Sequence, residues 1–106
     1  MQLSDLKKMP VLQTKGINAA AAGDPETHNY ILDCLFRFYG GDYGEICEDD
    51  TAANNADLEA GEGHILARYK GKYNLERDFY IEAHFYEPKL NDIDYTNILI
   101  MFPDER

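Results

Sequence analysis

Apolar residues recur along this chain with two different periods, one in each half. Between Pro25 and Tyr39 they follow the three- and four-residue spacing of an amphipathic helix. Asp24 suits the position that caps a helix N-terminus, Pro25 suits the first helical position, and a pair of glycines follows Tyr39. The sequence therefore predicts a helix over Pro25–Tyr39, with its apolar stripe formed by Ile31, Cys34, Leu35 and Phe38.

The second half alternates between apolar and polar positions, as strands do. Segments 64–70 and 79–87 alternate, and 97–102 is a short apolar run. A helix followed by three strands predicts an α+β fold. We expect an antiparallel three- to four-stranded meander with one main amphipathic helix packed on one face, within a single domain over residues 1–106. In the middle strand the residues facing the helix would be Phe79, Ile81, Ala83 and Phe85.

Three further segments give weaker patterns. Residues 4–9 can form a short helix capped by Ser4 and ended by Pro10. Residues 51–60 can form a surface helix capped by Asp50 and ended by Gly61, or else a turn-rich connector. The alanine-containing stretch 11–23 favours a helix only weakly and remains open between helix and irregular structure.

Acidic residues dominate the connector between the main helix and the strands. The chain carries 20 acidic and 10 basic side chains, a net charge of −10, and the connector 40–62 contains no lysine or arginine. This charge repels phosphate backbones and anionic lipid, so we expect no direct binding to nucleic acid or to a membrane. A basic protein partner is favoured instead. The acids of the predicted contact surface are Asp42, Glu45, Glu48, Asp49 and Asp50.

Two histidines and a glutamate fall on neighbouring predicted strands. His64, Glu82 and His84 could together bind Zn²⁺, because imidazole and carboxylate groups are zinc ligands. The chain has no HxH or HExxH motif, and both histidines can equally fill a half-exposed sheet face. The spacing of acids from Asp42 onward does not match a calcium loop. We expect no cofactor and no catalytic residue; a metal site or hydrolase using these three residues is the alternative prediction.

The sheet face opposite the main helix is rich in apolar and tyrosine side chains. Such a patch exceeds the scattered exposure of ordinary surfaces, so something is expected to cover it. The segment 11–22, a second copy in a homodimer, or a partner protein could each do so. The residues concerned are Leu66, Tyr80, Tyr86, Leu99 and Met101.

Targeting signals do not change this interpretation. No charged segment followed by an apolar run opens the chain, and no apolar run approaches about 18 residues. Cys34 and Cys47 form no CxxC motif. A cytoplasmic protein with reduced cysteines is the expectation.

Several strings of the sequence resemble one family of small bacterial proteins. They are GINAAAAGDPETHN, FYGGDYGE, AANNADLEAGEGHILARYKGKY and the terminal NILIMFP. They look like the uncharacterised "plasmid-related" proteins carried on plasmids and conjugative elements of Firmicutes. The resemblance implies a mobile-element setting and a cytoplasmic location, and it implies no known activity or site residue. The expected function is that of a non-enzymatic protein-interaction module.

Overall fold

A computed structural model of the chain describes residues 2–61, 63–85 and 97–106. In that part the chain forms four α-helices and a four-stranded sheet, and it ends in a short 3-10 turn, Pro103–Glu105. The helices are α1 Leu3–Leu6, α2 Lys15–Ala21, α3 Pro25–Tyr39 and α4 Glu48–Ala60. The strands are β1 Val11–Gln13, β2 Gly63–Tyr69, β3 Phe79–Phe85 and β4 Asn97–Met101.

Helix α3 forms where the sequence predicts it, with the predicted bounds. Asp24 occupies the cap position, and its carboxylate accepts a hydrogen bond from the Thr27 hydroxyl at 2.5 Å. The apolar stripe of α3 is buried against one sheet face, and full burial of each large apolar side chain contributes about 1.5–3 kcal/mol. Phe79, Ile81 and Ala83 lie in this core as predicted, whereas the side chain of Phe85 falls outside the described part of the chain.

The sheet is mixed, which corrects the prediction of a purely antiparallel meander. Strands β2, β3 and β4 pair antiparallel in sequence order, and β1 pairs parallel to β4, giving the order β1-β4-β3-β2. Strand β1 has three residues, too few for an alternating pattern to be recognised in the sequence. Its pairing with β4 joins segments near the two ends of the chain, so the sequence around β1 does not indicate this pairing.

Several element boundaries also differ from the predictions. Helix α4 begins at Glu48, with Cys47 rather than Asp50 in the cap position. The acids of its first turn interact favourably with the helix dipole, which explains how the helix extends over residues predicted as a cap and a loop. Helix α1 begins at Leu3, ahead of the predicted cap, and the open segment 11–23 divides into β1 and α2.

The described helices are short. Helix α3, the longest of them, has 15 residues, and no helix in the described ranges is long and apolar enough to cross a membrane.

The C-terminal turn holds the start of α2 through one carboxylate. Glu105 Oε1 accepts hydrogen bonds from the Thr14 hydroxyl at 2.6 Å and the Phe102 amide at 3.1 Å, and Oε2 accepts one from the Gly16 amide at 2.9 Å. The Thr14 hydroxyl, together with these amides, lowers the pKa of Glu105 below its ordinary value of 4.5. The carboxylate thereby connects β4 and its following turn to α2.

Replacing Glu105 with glutamine is expected to lower the free energy of unfolding at neutral pH by about 1 kcal/mol, because the amide replaces one acceptor by a donor. The folded-state pKa lies below the unfolded one, so the carboxylate stabilises the fold above pH 4.5 and loses this contribution as the pH falls through its folded-state pKa. Urea denaturation of both proteins across this pH range should show the difference shrinking with acidity. A pH-independent difference contradicts the assignment, and Glu76→Gln at an exposed position is the control.

Candidate functional site

Helix α4 lies along the outer edge of β2 and is fixed there by one buried amide. Asn54, 6% exposed, donates a hydrogen bond from Nδ2 to the Leu66 carbonyl at 2.9 Å. Its Oδ1 accepts one from the Leu66 amide at 3.0 Å. The side chain therefore occupies the hydrogen-bonding position that a neighbouring strand would take.

The rest of this edge is covered in the same manner. The Tyr43 carbonyl accepts from the Arg68 amide at 3.1 Å, and the Glu45 amide donates to the Arg68 carbonyl at 2.7 Å. At the other end of β2, Asp57 Oδ2 accepts from the His64 amide at 3.3 Å. Unpaired strand edges invite pairing with other chains, so this cover protects β2 from such pairing.

With its inner side fixed at β2, α4 presents its acids to solvent. No basic residue lies in α4, and Asn54 is its one buried residue. Elsewhere in the described part of the chain, bases pair with acids, as in Arg37–Asp42, Arg68–Asp78 and Arg77–Asp104. Exposed acids on and before α4 form no ion pair with any described residue; these are Glu45, Glu48, Asp49, Asp50 and Glu59, here called the α4 acidic surface.

Asp42 differs from the other predicted contact acids. Its Oδ2 accepts a hydrogen bond from Arg37 Nε at 2.7 Å, and its Oδ1 accepts one from the Gly44 amide at 3.1 Å. The Arg37 guanidinium first, and the Gly44 amide second, lower the pKa of Asp42. Its charge is thus largely compensated within the turn after α3, and it is not counted in the α4 acidic surface.

A cavity of about 200 Å³ opens between α4 and β2. Ile46, Ala53 and Leu66 supply apolar lining, and Asp50 and Asp57 supply carboxylates. Residues 50, 53, 54 and 57 are spaced at i, i+3, i+4 and i+7, which places them on one side of the helix. The cavity thus joins the acidic surface to a small apolar floor.

The predicted apolar face of the sheet is only partly open. Met101 is buried within the chain, while Leu66, Tyr80 and Leu99 are half-buried. Tyr86 lies outside the described residues. Pairing of two copies through this face stays a prediction, which a measurement of molar mass in solution tests.

His64, Glu82 and His84 lie close together on that face. Glu82, 2% exposed, places Oε1 3.4 Å from His84 Nε2 and accepts a hydrogen bond from Arg106 Nη2 at 3.2 Å. The rings of His64 and His84, which are paired across the two strands, have centroids 6.3 Å apart. Glu82 Oε2 is buried and has no hydrogen-bond partner among the described residues. Within the described ranges, however, no group of three potential ligands could hold a metal ion.

A second cavity, of about 340 Å³, lies between α2 and the C-terminal turn. Most of its charged groups are already engaged. Arg77 Nη2 contacts Asp104 Oδ1 at 2.6 Å, its guanidinium lies 3.8 Å from the Phe102 ring centroid, and Glu105 holds α2. This cavity therefore offers fewer uncompensated charges to a ligand than the smaller one beside α4.

Comparison with protein-family models, with curated proteins and with solved structures finds no match to this chain. The candidate site thus depends on its own geometry. Sequence reasoning identified most of its acids but missed Asn54, Ala53 and Ile46. The i, i+3, i+4, i+7 spacing of Asp50, Ala53, Asn54 and Asp57 is the sequence signal that indicates one side of a helix. Because these residues are polar or small, the spacing does not stand out as an apolar stripe does.

Proposed function

We propose that this protein is a non-enzymatic interaction module that binds a basic protein partner through the α4 acidic surface. One observation carries the proposal: these exposed carboxylates have no ion-pair partner among the described residues, while α4 itself is fixed to β2 by Asn54. A rigid helix with an uncompensated charge can attract a positive surface without rearranging. Such complementarity raises association rates and selects partners by charge.

The helix dipole explains part of this composition without a partner. Acids in the first turn stabilise a helix by about 0.3–1 kcal/mol each. Glu48, Asp49 and Asp50 are consecutive, however, and like charges so close together repel one another. Glu45 precedes the helix and Glu59 lies near its C-terminus, where a negative charge is unfavourable. Dipole stabilisation therefore does not account for the whole surface.

The proposed partner is a protein that itself binds nucleic acid. A dense row of carboxylates can imitate the charge of a phosphate backbone, and a basic nucleic-acid-binding surface is complementary to it. In the mobile-element setting that the sequence resemblance implies, this partner would be a replication, transfer or host-defence protein.

A charge-neutral variant tests the proposal. Glu48→Gln, Asp49→Asn and Asp50→Asn together remove three negative charges and keep the side-chain shapes. At roughly 0.5 kcal/mol per exposed pair, we expect about a tenfold weaker affinity for a lysine-rich peptide, measured by calorimetry at low salt. Affinity purification from the native host with wild type and variant, at about 0.1 M and about 1 M NaCl, extends the test to natural partners.

A matched variant separates local from net charge. Glu26→Gln, Asp33→Asn and Glu76→Gln remove the same number of charges at exposed positions outside α4. We expect this variant to keep most of the affinity. Equal losses in both variants would mean that net charge alone drives binding, and partners retained at high salt would contradict the electrostatic basis.

The alternative function, a metal-binding protein or hydrolase, has one contact in its favour. Glu82 Oε1 and His84 Nε2 lie 3.4 Å apart, close enough for ligands of one ion. Arg106 contacts the same oxygen and would have to move first. Metal analysis of the purified protein, with His84→Ala as control, tests this alternative; a stoichiometric metal lost in the variant would favour it.

A further inference from the structure

The cavity between α4 and β2 combines an apolar lining with two carboxylates. Its apolar floor is formed by Ile46, Ala53 and Leu66, the carboxylates of Asp50 and Asp57 border it, and Asn54 and His64 complete the lining. The two acids are seven residues apart on α4, which corresponds to about 10.5 Å along the helix axis. Asp57 Oδ2 accepts a hydrogen bond from the His64 amide at 3.3 Å, and neither Asp50 nor Asp57 forms an ion pair with a described residue.

We propose that this cavity receives one lysine or arginine side chain of the basic partner. The methylene groups of such a side chain would lie on the apolar floor, and its cationic end would reach the carboxylate of Asp50 or that of Asp57. Lysine and arginine side chains commonly place their methylene groups on apolar surface and their charged end in polar surroundings. The inference rests on the proposed function and makes it more specific, because it names an anchoring residue of the partner.

The size and lining of the cavity favour this occupant over other ligands. Sites for whole small molecules usually measure about 300–1,000 Å³, whereas this cavity measures about 200 Å³. Among the described residues no group of three could hold a metal ion. Asp50 also belongs to the α4 acidic surface, so the cavity continues the charge that attracts the partner.

Filling the cavity without changing its charge provides the test. Ala53→Met places a larger side chain over the floor, and Ala52→Met makes the same change at the neighbouring exposed position, which does not line the cavity. We expect Ala53→Met to weaken binding of a lysine-rich peptide about tenfold and Ala52→Met to leave it nearly unchanged. A peptide with norleucine in place of lysine should not bind, because it keeps the methylene groups and lacks the charge.

Amide chemical shifts of the labelled protein locate the peptide independently of the variants. Shifts at Ala53, His64 and Leu66 on titration support the anchoring role. If wild type binds and both methionine variants bind equally, with no shifts at the cavity, this inference is overturned and the proposed function stands. If wild type does not bind the lysine-rich peptide at low salt, both are overturned.

Discussion

Replacing Gly44 with alanine is expected to destabilise the protein by about 3–4 kcal/mol, a large fraction of the stability of a small domain. Gly44 has φ +72° and pairs with β2 at Arg68. An added Cβ would lie 2.8 Å from Cδ1 of Tyr69 and closer still to the Arg68 carbonyl oxygen. Left-handed strain costs about 1–2 kcal/mol, and overpacking against fixed backbone adds about 1–3 kcal/mol.

Gly23 supplies a matched control for this prediction. Its φ is +71°, nearly the same as at Gly44, but beyond its two chain neighbours no described atom lies within 4 Å of the position that a Cβ would take. Gly23→Ala should therefore cost only the strain, about 1 kcal/mol. Urea denaturation of the two variants separates conformational strain from contact with β2, and equal losses would show that Gly44 does not approach the strand as closely as described.

Replacing Asn54 with alanine is expected to cost about 2–4 kcal/mol. The change leaves the Leu66 amide and carbonyl without their partners, and each unsatisfied buried group costs about 1–3 kcal/mol. Detachment of α4 would also expose the outer edge of β2. We therefore expect the variant to self-associate more readily than wild type, which light scattering at increasing protein concentration measures.

The next residue along α4 is the control for this change. Asn55 has the same side chain in the same helix but is exposed. Asn55→Ala should leave the unfolding free energy nearly unchanged or raise it slightly, because alanine has the higher helix propensity. A comparable loss in both variants would mean that the amide contact with Leu66 does not hold α4.

Gly44 and Asn54 also bear on the proposed function. The α4 acidic surface can act as a preorganised surface only while Asn54 and the Tyr43–Glu45 segment hold α4 and its connector against β2. A variant that loses this attachment should lose affinity for a basic peptide even though every carboxylate is present. Binding energy would then be spent on ordering the helix again.

Helix α3 and the three long strands could be predicted because their apolar residues repeat with a clear period. Ile31, Cys34, Leu35 and Phe38 form one helical stripe, and all are buried. Local signals failed where a distant partner decides the structure. Strand β1 forms because Val11–Gln13 pairs with β4, and the sequence predicts a cap at Asp50 rather than at Cys47 because it does not show how α4 fits against β2.

The charge of the candidate site also depends partly on composition and partly on tertiary structure. Composition alone gives the net charge of −10 and the absence of bases from 40–62, because these are properties of the residues and not of their arrangement. Which carboxylates remain uncompensated depends on distances: Asp42 lies 2.7 Å from Arg37, whereas Glu48 and Asp49 have no described base beside them.

The sequence by itself thus determined the fold class, the main helix and the sign of the molecule's field, since periodicity and charge are local properties. Only the tertiary structure decided the parallel place of β1, the attachment of α4 through Asn54, and the cavity beside Ala53. Each depends on contacts between segments far apart in the chain. Such contacts leave no period in the sequence because a single hydrogen-bonding side chain, or three residues of strand, is enough to make them.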